Sequence, residues 1–136
     1  MWIQVNNNPQ GRNTVGDCVI RAIASALKLD WYVVHSDLCA LSRRMADMPS
    51  SNEVWSKYLE LNGWRRYTCN NCLSVREFCA THPRGEYLLS TCDYVSATSN
   101  IIVTANHLVY CREGNWLDVW DSGNEIPLFY FKRSEK

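Results

Sequence analysis

The chain has 136 residues, of which 46% are hydrophobic and 21% charged, the size and composition of one folded domain. Lysine and arginine together number 14, as do aspartate and glutamate, so the formal net charge is zero and no surface for nucleic acid or an anionic membrane is predicted. No apolar run approaches the ~20 residues of a membrane span, and the first residues lack the order of a signal peptide. Seven cysteines, an odd number without such a signal, predict reduced thiols and a cytoplasmic protein.

Residues 1–81 are predicted to be mainly helical. The first five residues indicate a short edge strand, which is followed by a polar loop rich in asparagine, proline and glycine. Apolar residues at helical spacing predict a first helix from Cys18 to Lys28, with Asp17 as its N-cap, and a second helix after Asp30. Two further helices open on capping-box patterns, Ser50-x-x-Glu53 and Ser74-x-x-Glu77.

The rest of the chain is predicted to be strands. Segments of β character, separated by glycine, asparagine and serine, cover residues 86–90, 101–104, 107–111, 116–120 and 128–131. Helices followed by strands are typical of an α+β domain. We therefore predict one domain, residues 1–136, in which N-terminal helices pack on a C-terminal antiparallel sheet.

Three residue types in this order indicate a thiol active site. Cys18 falls in the first turn of a helix, where the helix dipole and unpaired N–H groups favour a thiolate, and His107 opens a strand as the candidate base. If the strands flanking Glu113-Gly114 form a hairpin, His107 lies across from Trp120 or Asp121, depending on the length of the turn, and Asp121 is the preferred orienting acid. Asp118 is the alternative acid, because a bulge would change the register. We expect the acid to accept the imidazole Nδ1–H and to leave Nε2 facing the thiol.

An oxyanion hole would need the Cys18 backbone N–H and one more donor. Asn13, in the preceding loop, is the candidate, and Gln10 and the backbone amides around Gly16-Asp17 are further donors. Such a site predicts acyl transfer from an amide, isopeptide or ester bond of a peptide or protein substrate, with no cofactor.

A second constellation offers the ligand types of a structural zinc ion. Cys69-x-x-Cys72 is followed by Cys79-x-x-His82, which supplies three thiols and an imidazole. Ordinary packing, or a disulfide between Cys72 and Cys79, would account for the same cysteines. The function that corresponds to zinc binding is a zinc-stabilised interaction domain.

The segment Gly16-Asp17-Cys18-Val19-Ile20-Arg21-Ala22-Ile23 resembles the cysteine motif of papain-like cysteine peptidases in the broad sense. It is also similar to the start of OTU-type deubiquitinases, and the whole chain resembles compact phage and gut-bacterial proteins of that superfamily. The resemblance implies a papain-like fold with Cys18 as nucleophile, His107 as general base and Asp121 as orienter.

The sequence departs from both families beside the cysteine. Arg12 stands where papain has its glutamine, and the Gly-Asn pair that OTU enzymes place before their cysteine is missing. The alternative function is a non-catalytic binding module, such as a phage effector or inhibitor, on the same fold.

Overall fold

The computed structural model describes residues 1–13, 16–69, 72–92 and 107–133, and these form a mixed α+β fold. In chain order its elements are β1 (Trp2–Gln4), α1 (Cys18–Leu27), α2 (Trp31–Met45), α3 (Asn52–Leu61), β2 (Trp64–Thr68), α4 (Val75–Thr81), β3 (Glu86–Cys92), β4 (His107–Arg112), β5 (Asn115–Asp118) and β6 (Ile126–Arg133). No helix in the described ranges has the length and apolar character needed to cross a membrane.

The helices begin close to the predicted capping residues. The side chains of Asp30 and Ser51 accept backbone N–H groups at the starts of α2 and α3, and Ser74 with Glu77 forms the capping box of α4. Ser51 is therefore the N-cap of α3, whereas the capping-box pattern in the sequence favours Ser50. Local side-chain chemistry thus sets these helix starts.

The six strands form one sheet in the order β1-β5-β4-β3-β6-β2. Neighbouring strands are antiparallel except β1 and β5, which run parallel. Strand β2 was not predicted, because only Trp64 of its five residues is buried and period-two alternation is absent. The predicted strand over residues 101–104 lies outside the described residues.

Each face of the sheet buries its own set of side chains, because successive residues of a strand point to opposite faces. The face that packs on α1, α2 and α3 carries Leu88, Leu108, Tyr110, Phe129 and Phe131. The face that packs on α4 carries Tyr87, Leu89, Val109, Cys111 and Trp116. Helix α1 packs across β4, and this contact positions the candidate site.

Candidate active site

Cys18 and His107 meet where α1 packs on β4. Cys18 is the first residue of α1 and His107 is the first residue of β4. Their side chains are hydrogen-bonded to each other, and the backbone of Leu108 gives the sulfur a further hydrogen bond. The fold thus brings together the nucleophile and the base that the sequence had indicated.

Asp118, rather than Asp121, is the acid beside His107. The Nε2 atom of His107 lies 2.6 Å from Oδ2 of Asp118, and the two side chains are 9% and 5% exposed. Because Nε2 faces the carboxylate, Nδ1 is the ring nitrogen left for Cys18. This orientation is the reverse of the expected one, in which the acid would accept from Nδ1.

The position of the acid follows from where β5 ends. The hairpin has a two-residue turn at Glu113-Gly114, with positive φ angles of 51° and 78°. The strand predicted to reach Trp120 ends at Asp118, and the chain then turns away. Asp121 consequently does not come level with His107.

Asp121 instead stabilises the turn that follows β5. Its Oδ1 accepts the Trp116 Nε1–H at 2.9 Å and the Gly123 N–H at 3.0 Å. These two hydrogen bonds hold the pKa of Asp121 below its ordinary value. The side chain is 43% exposed and lies 3.8 Å from Arg76. Its role is to shape the segment after Asp118.

The Asp118 carboxylate is fixed by its other neighbours. The Ser122 hydroxyl donates to Oδ2 at 2.8 Å, the Val119 N–H donates to Oδ1 at 2.7 Å, and Nη1 of Arg21 lies 3.7 Å from Oδ1. A carboxylate held in this way also fixes the plane of the imidazole that it contacts. The sequence patterns indicate neither contact, because that of Ser122 depends on the turn after β5 and that of Arg21 on the packing of α1 against the sheet.

The thiol and the imidazole each favour the charged form of the other. Burial raises the pKa of Cys18, but the hydrogen bond and charge of His107 outweigh it, so that this pKa lies below the ordinary value. Burial lowers the pKa of His107, but hydrogen bonds to Asp118 and Cys18 raise it to about 9. Both shifts favour a thiolate–imidazolium pair.

Asp17 occupies the N-cap position of α1, but its side chain does not cap the helix. The carboxylate accepts from Arg21 Nε at 2.8 Å, from Trp31 Nε1 at 3.0 Å and from Asn8 Nδ2 at 2.9 Å. These hydrogen bonds join α1, α2 and the N-terminal loop around a carboxylate that is 6% exposed. Arg21 consequently lies between two buried carboxylates, those of Asp17 and Asp118.

A cleft of about 150 Å³ opens beside Cys18 and His107. Its other lining residues are Gly16, Val19, Ser50, Asn52, Trp55, Ser90 and Leu108. Trp120 is 47% exposed, and its ring centroid lies 5.0 Å from that of His107. The side chains of Cys18 and His107 therefore face a space with an apolar wall and several polar groups.

Asn52, rather than Asn13, is the asparagine that the structure brings to this cleft. Asn13 is exposed and is not among the cleft residues. The Oδ1 atom of Asn52 accepts the Trp55 Nε1–H at 3.1 Å, which fixes the orientation of the amide. The sequence held no signal for this placement, since Asn52 reads only as the first residue of a helix.

The four residues of the zinc alternative are not gathered into one site. Cys79 is buried against β4, and the His82 ring stacks on Phe78, with Nδ1 2.8 Å from the Phe78 carbonyl oxygen. Cys69 is half-buried, which raises its pKa, and Cys72 is exposed. Among the residues that the structure describes, no group of three His, Cys, Asp or Glu side chains is placed to hold a metal ion.

Comparison with known proteins gives no family assignment. A scan against protein-family models, a search of curated proteins and a search of solved structures each found no match. The functional interpretation therefore depends on the geometry around Cys18.

Proposed function

We propose that the protein is a cysteine hydrolase of papain-like type, with Cys18, His107 and Asp118 as its triad. The observation that supports this is the continuous chain of hydrogen bonds from thiol to imidazole to carboxylate, beside an open cleft. A purely structural ion pair would explain only the contact between His107 and Asp118. It would not account for a thiol with a lowered pKa on the cleft side of the imidazole.

The proposed reaction is acyl transfer in two steps. The Cys18 thiolate attacks the carbonyl carbon, and the His107 imidazolium gives its Nδ1 proton to the departing amine or alcohol, which leaves a thioester on the sulfur. His107 then takes a proton from water as that water attacks the thioester. The acid product departs and the thiolate–imidazolium pair is restored. Asp118 keeps the ring oriented throughout.

We propose two donors for the oxyanion of this reaction. Cys18 is the first residue of α1, and the backbone N–H groups of a helix's first turn are the ones that can bind an anion. The Asn52 amide lines the same cleft, with its oxygen held by Trp55. We assign the Asn52 Nδ2–H as the second donor.

The substrate proposed is a peptide or protein chain. A second groove, of about 360 Å³, adjoins the first at Gly16 and is lined by Trp31, Tyr32 and His35. Among the described residues, none lies within 4 Å of a Cβ atom built at Gly16, so these residues leave room for a backbone to pass between the two grooves. An extended chain can therefore place its carbonyl at Cys18 and a side chain in the aromatic groove.

The triad is tested by making the same substitution in two aspartates. Asp118→Asn is expected to slow both p-nitrophenyl acetate hydrolysis and iodoacetamide alkylation of Cys18, measured at about pH 6, by about 10- to 100-fold, because the imidazolium loses its anionic partner. Asp121→Asn is the matched control and should stay within about twofold of wild type, because an amide oxygen can still accept from Trp116. Cys18→Ala sets the background rate.

Equal losses in both aspartate variants would show that the turn, and not the acid, governs the thiol. Hydrolysis that persists in Cys18→Ala, or a Cys18 as slow as the exposed Cys72 in the wild type, would overturn the catalytic proposal. A non-catalytic binding module would then be the leading interpretation.

The oxyanion assignment predicts different effects of one substitution on ester hydrolysis and on alkylation of Cys18. Asn52→Ala is expected to lower p-nitrophenyl acetate hydrolysis about 10²- to 10³-fold. Alkylation of Cys18 should be unchanged, because that reaction develops no oxyanion. Ser90→Ala, which alters another polar side chain of the cleft, serves as the control. A parallel loss in both assays would mean that Asn52 acts on the thiolate or the fold instead.

A further inference from the structure

Two cysteines that the proposed reaction does not use face each other in the core between α4 and the sheet. Cys79 on α4 and Cys111 on β4 are 1% and 0% exposed, and their sulfur atoms lie 2.7 Å apart. Both are free thiols in this structure. A disulfide between Cys79 and Cys72 is one of the alternatives that the sequence leaves open, but Cys72 is an exposed free thiol in the structure.

The backbones around the two thiols are held together independently of the sulfurs. Both side chains belong to one buried cluster with Val75, Phe78 and Trp116. The turn after β4 also touches the end of α4, since a Cβ atom at Gly114 would lie 3.5 Å from the Cys79 carbonyl oxygen. The sulfurs therefore cannot separate far unless α4 leaves the sheet.

The two thiols are not equivalent. The hydrogen bond with Cys111 lowers the pKa of Cys79, whereas the same bond, together with burial, raises the pKa of Cys111. The thiol with the lower pKa has the larger thiolate fraction and is the better initial nucleophile.

We propose that Cys79 and Cys111 are a disulfide-forming pair that fastens α4 to β4, with a low-molecular-weight disulfide such as glutathione disulfide as the oxidant. The Cys79 thiolate attacks the oxidant, which forms a mixed disulfide and releases one glutathione. The Cys111 thiolate then attacks the Cys79 sulfur, which closes the protein disulfide and releases the second glutathione. Two protein thiols are oxidised, and one glutathione disulfide is reduced to two thiols.

The cross-link joins α4 to the strand that also carries His107. Its formation involves neither Cys18 nor any other residue of the triad. Because both thiols are buried, the oxidant gains access before α4 docks during folding, or when α4 opens. The inference is thus independent of the proposed hydrolase function.

The test is redox equilibration of the whole chain during refolding. The protein is unfolded, reduced, and refolded at graded ratios of glutathione to its disulfide. Free thiols are then alkylated in denaturant, and cross-linked peptides are mapped without reduction. The Cys79–Cys111 linkage should be the dominant one and should form at a ratio at least about tenfold more reducing than any other pair. Cys72→Ala should retain it, and Cys79→Ala should leave Cys111 alkylatable.

Two results would overturn the inference. One is folded protein that keeps Cys79 and Cys111 as free thiols at the most oxidising ratio. The other is linkage of Cys79 to Cys69 or Cys72 as often as to Cys111. Both results are obtained with the wild-type chain, so they test the inference even if the Cys79→Ala variant fails to fold.

Discussion

Replacement of His107 by asparagine is expected to slow iodoacetamide alkylation of Cys18 about 10²-fold at about pH 6. In the wild type, the hydrogen bond and charge of His107 offset the burial that would otherwise raise the pKa of Cys18. Without the imidazolium, burial is the dominant influence and the sulfur is held as a thiol. This is the largest change in the alkylation rate of Cys18 that we expect from a single substitution at another residue.

The alkylation rate of Cys18 should depend on pH differently in the wild type and in the His107→Asn variant. The wild-type rate should stay high well below the ordinary pKa of a thiol, because the pKa of Cys18 is lowered. In the variant the rate should rise steadily toward alkaline pH, so that the two curves converge there. Hydrolysis by the wild type should decline above about pH 9, where His107 loses the proton that it would give to the leaving group.

Site-resolved mass spectrometry across pH 5 to 9 makes this measurement on every thiol at once. Cys72, which is exposed, provides the internal control and should react at the same rate in both proteins. A Cys18 that follows the Cys72 profile in the wild type and in the variant would contradict the thiolate–imidazolium pair.

Replacement of Arg21 by methionine is expected to destabilise the fold by about 3–5 kcal/mol. The Arg21 side chain is 12% exposed and lies 2.8 Å from Asp17 and 3.7 Å from Asp118, both of them buried. Methionine fills a similar volume but removes the charge, which leaves two carboxylates out of water without this cation. Chemical denaturation of wild type and variant measures the difference.

Arg76→Met is the matched control for this experiment. Arg76 also pairs with an aspartate, at 3.8 Å from Asp121, but the two side chains are 54% and 43% exposed. Solvent screens such a pair, so the loss should be about 1 kcal/mol or less. Equal losses for both arginines would show that side-chain packing, and not the buried charge, accounts for the effect.

The helices, and the positions of Cys18 and His107 at the starts of their elements, could be predicted because the sequence signals for them are local. Capping side chains act within three residues, so Asp30 and Ser74 identified their helices from sequence alone. Cys18 and His107 could be singled out because each opens an element and because a cysteine on a helix, a histidine on a strand and an acid follow one another in the order of a thiol active site.

The orienting acid could not be chosen in this way. Whether Asp118 or Asp121 faces His107 depends on where β5 stops. That point is set by hydrogen bonds from Trp116 and Gly123 to Asp121. The alternation of apolar residues in the sequence does not indicate these hydrogen bonds. Asn52 was missed for a related reason, because only the packing of α3 brings it to the cleft. Strand β2 was missed because it pairs along an edge of the sheet and buries a single side chain.

The order of strands has a consequence for the newly made chain. Both edge strands, β1 and β2, precede residue 70, and each pairs only with a strand of the second half, β5 or β6. A chain emerging from the ribosome therefore holds these edges unpaired until β5 and β6 have been synthesised. During that interval Cys18 lacks both His107 and Asp118, and its sulfur is an ordinary thiol. The hydrogen-bonded contact between Cys18 and His107 therefore forms only after β4 has been synthesised.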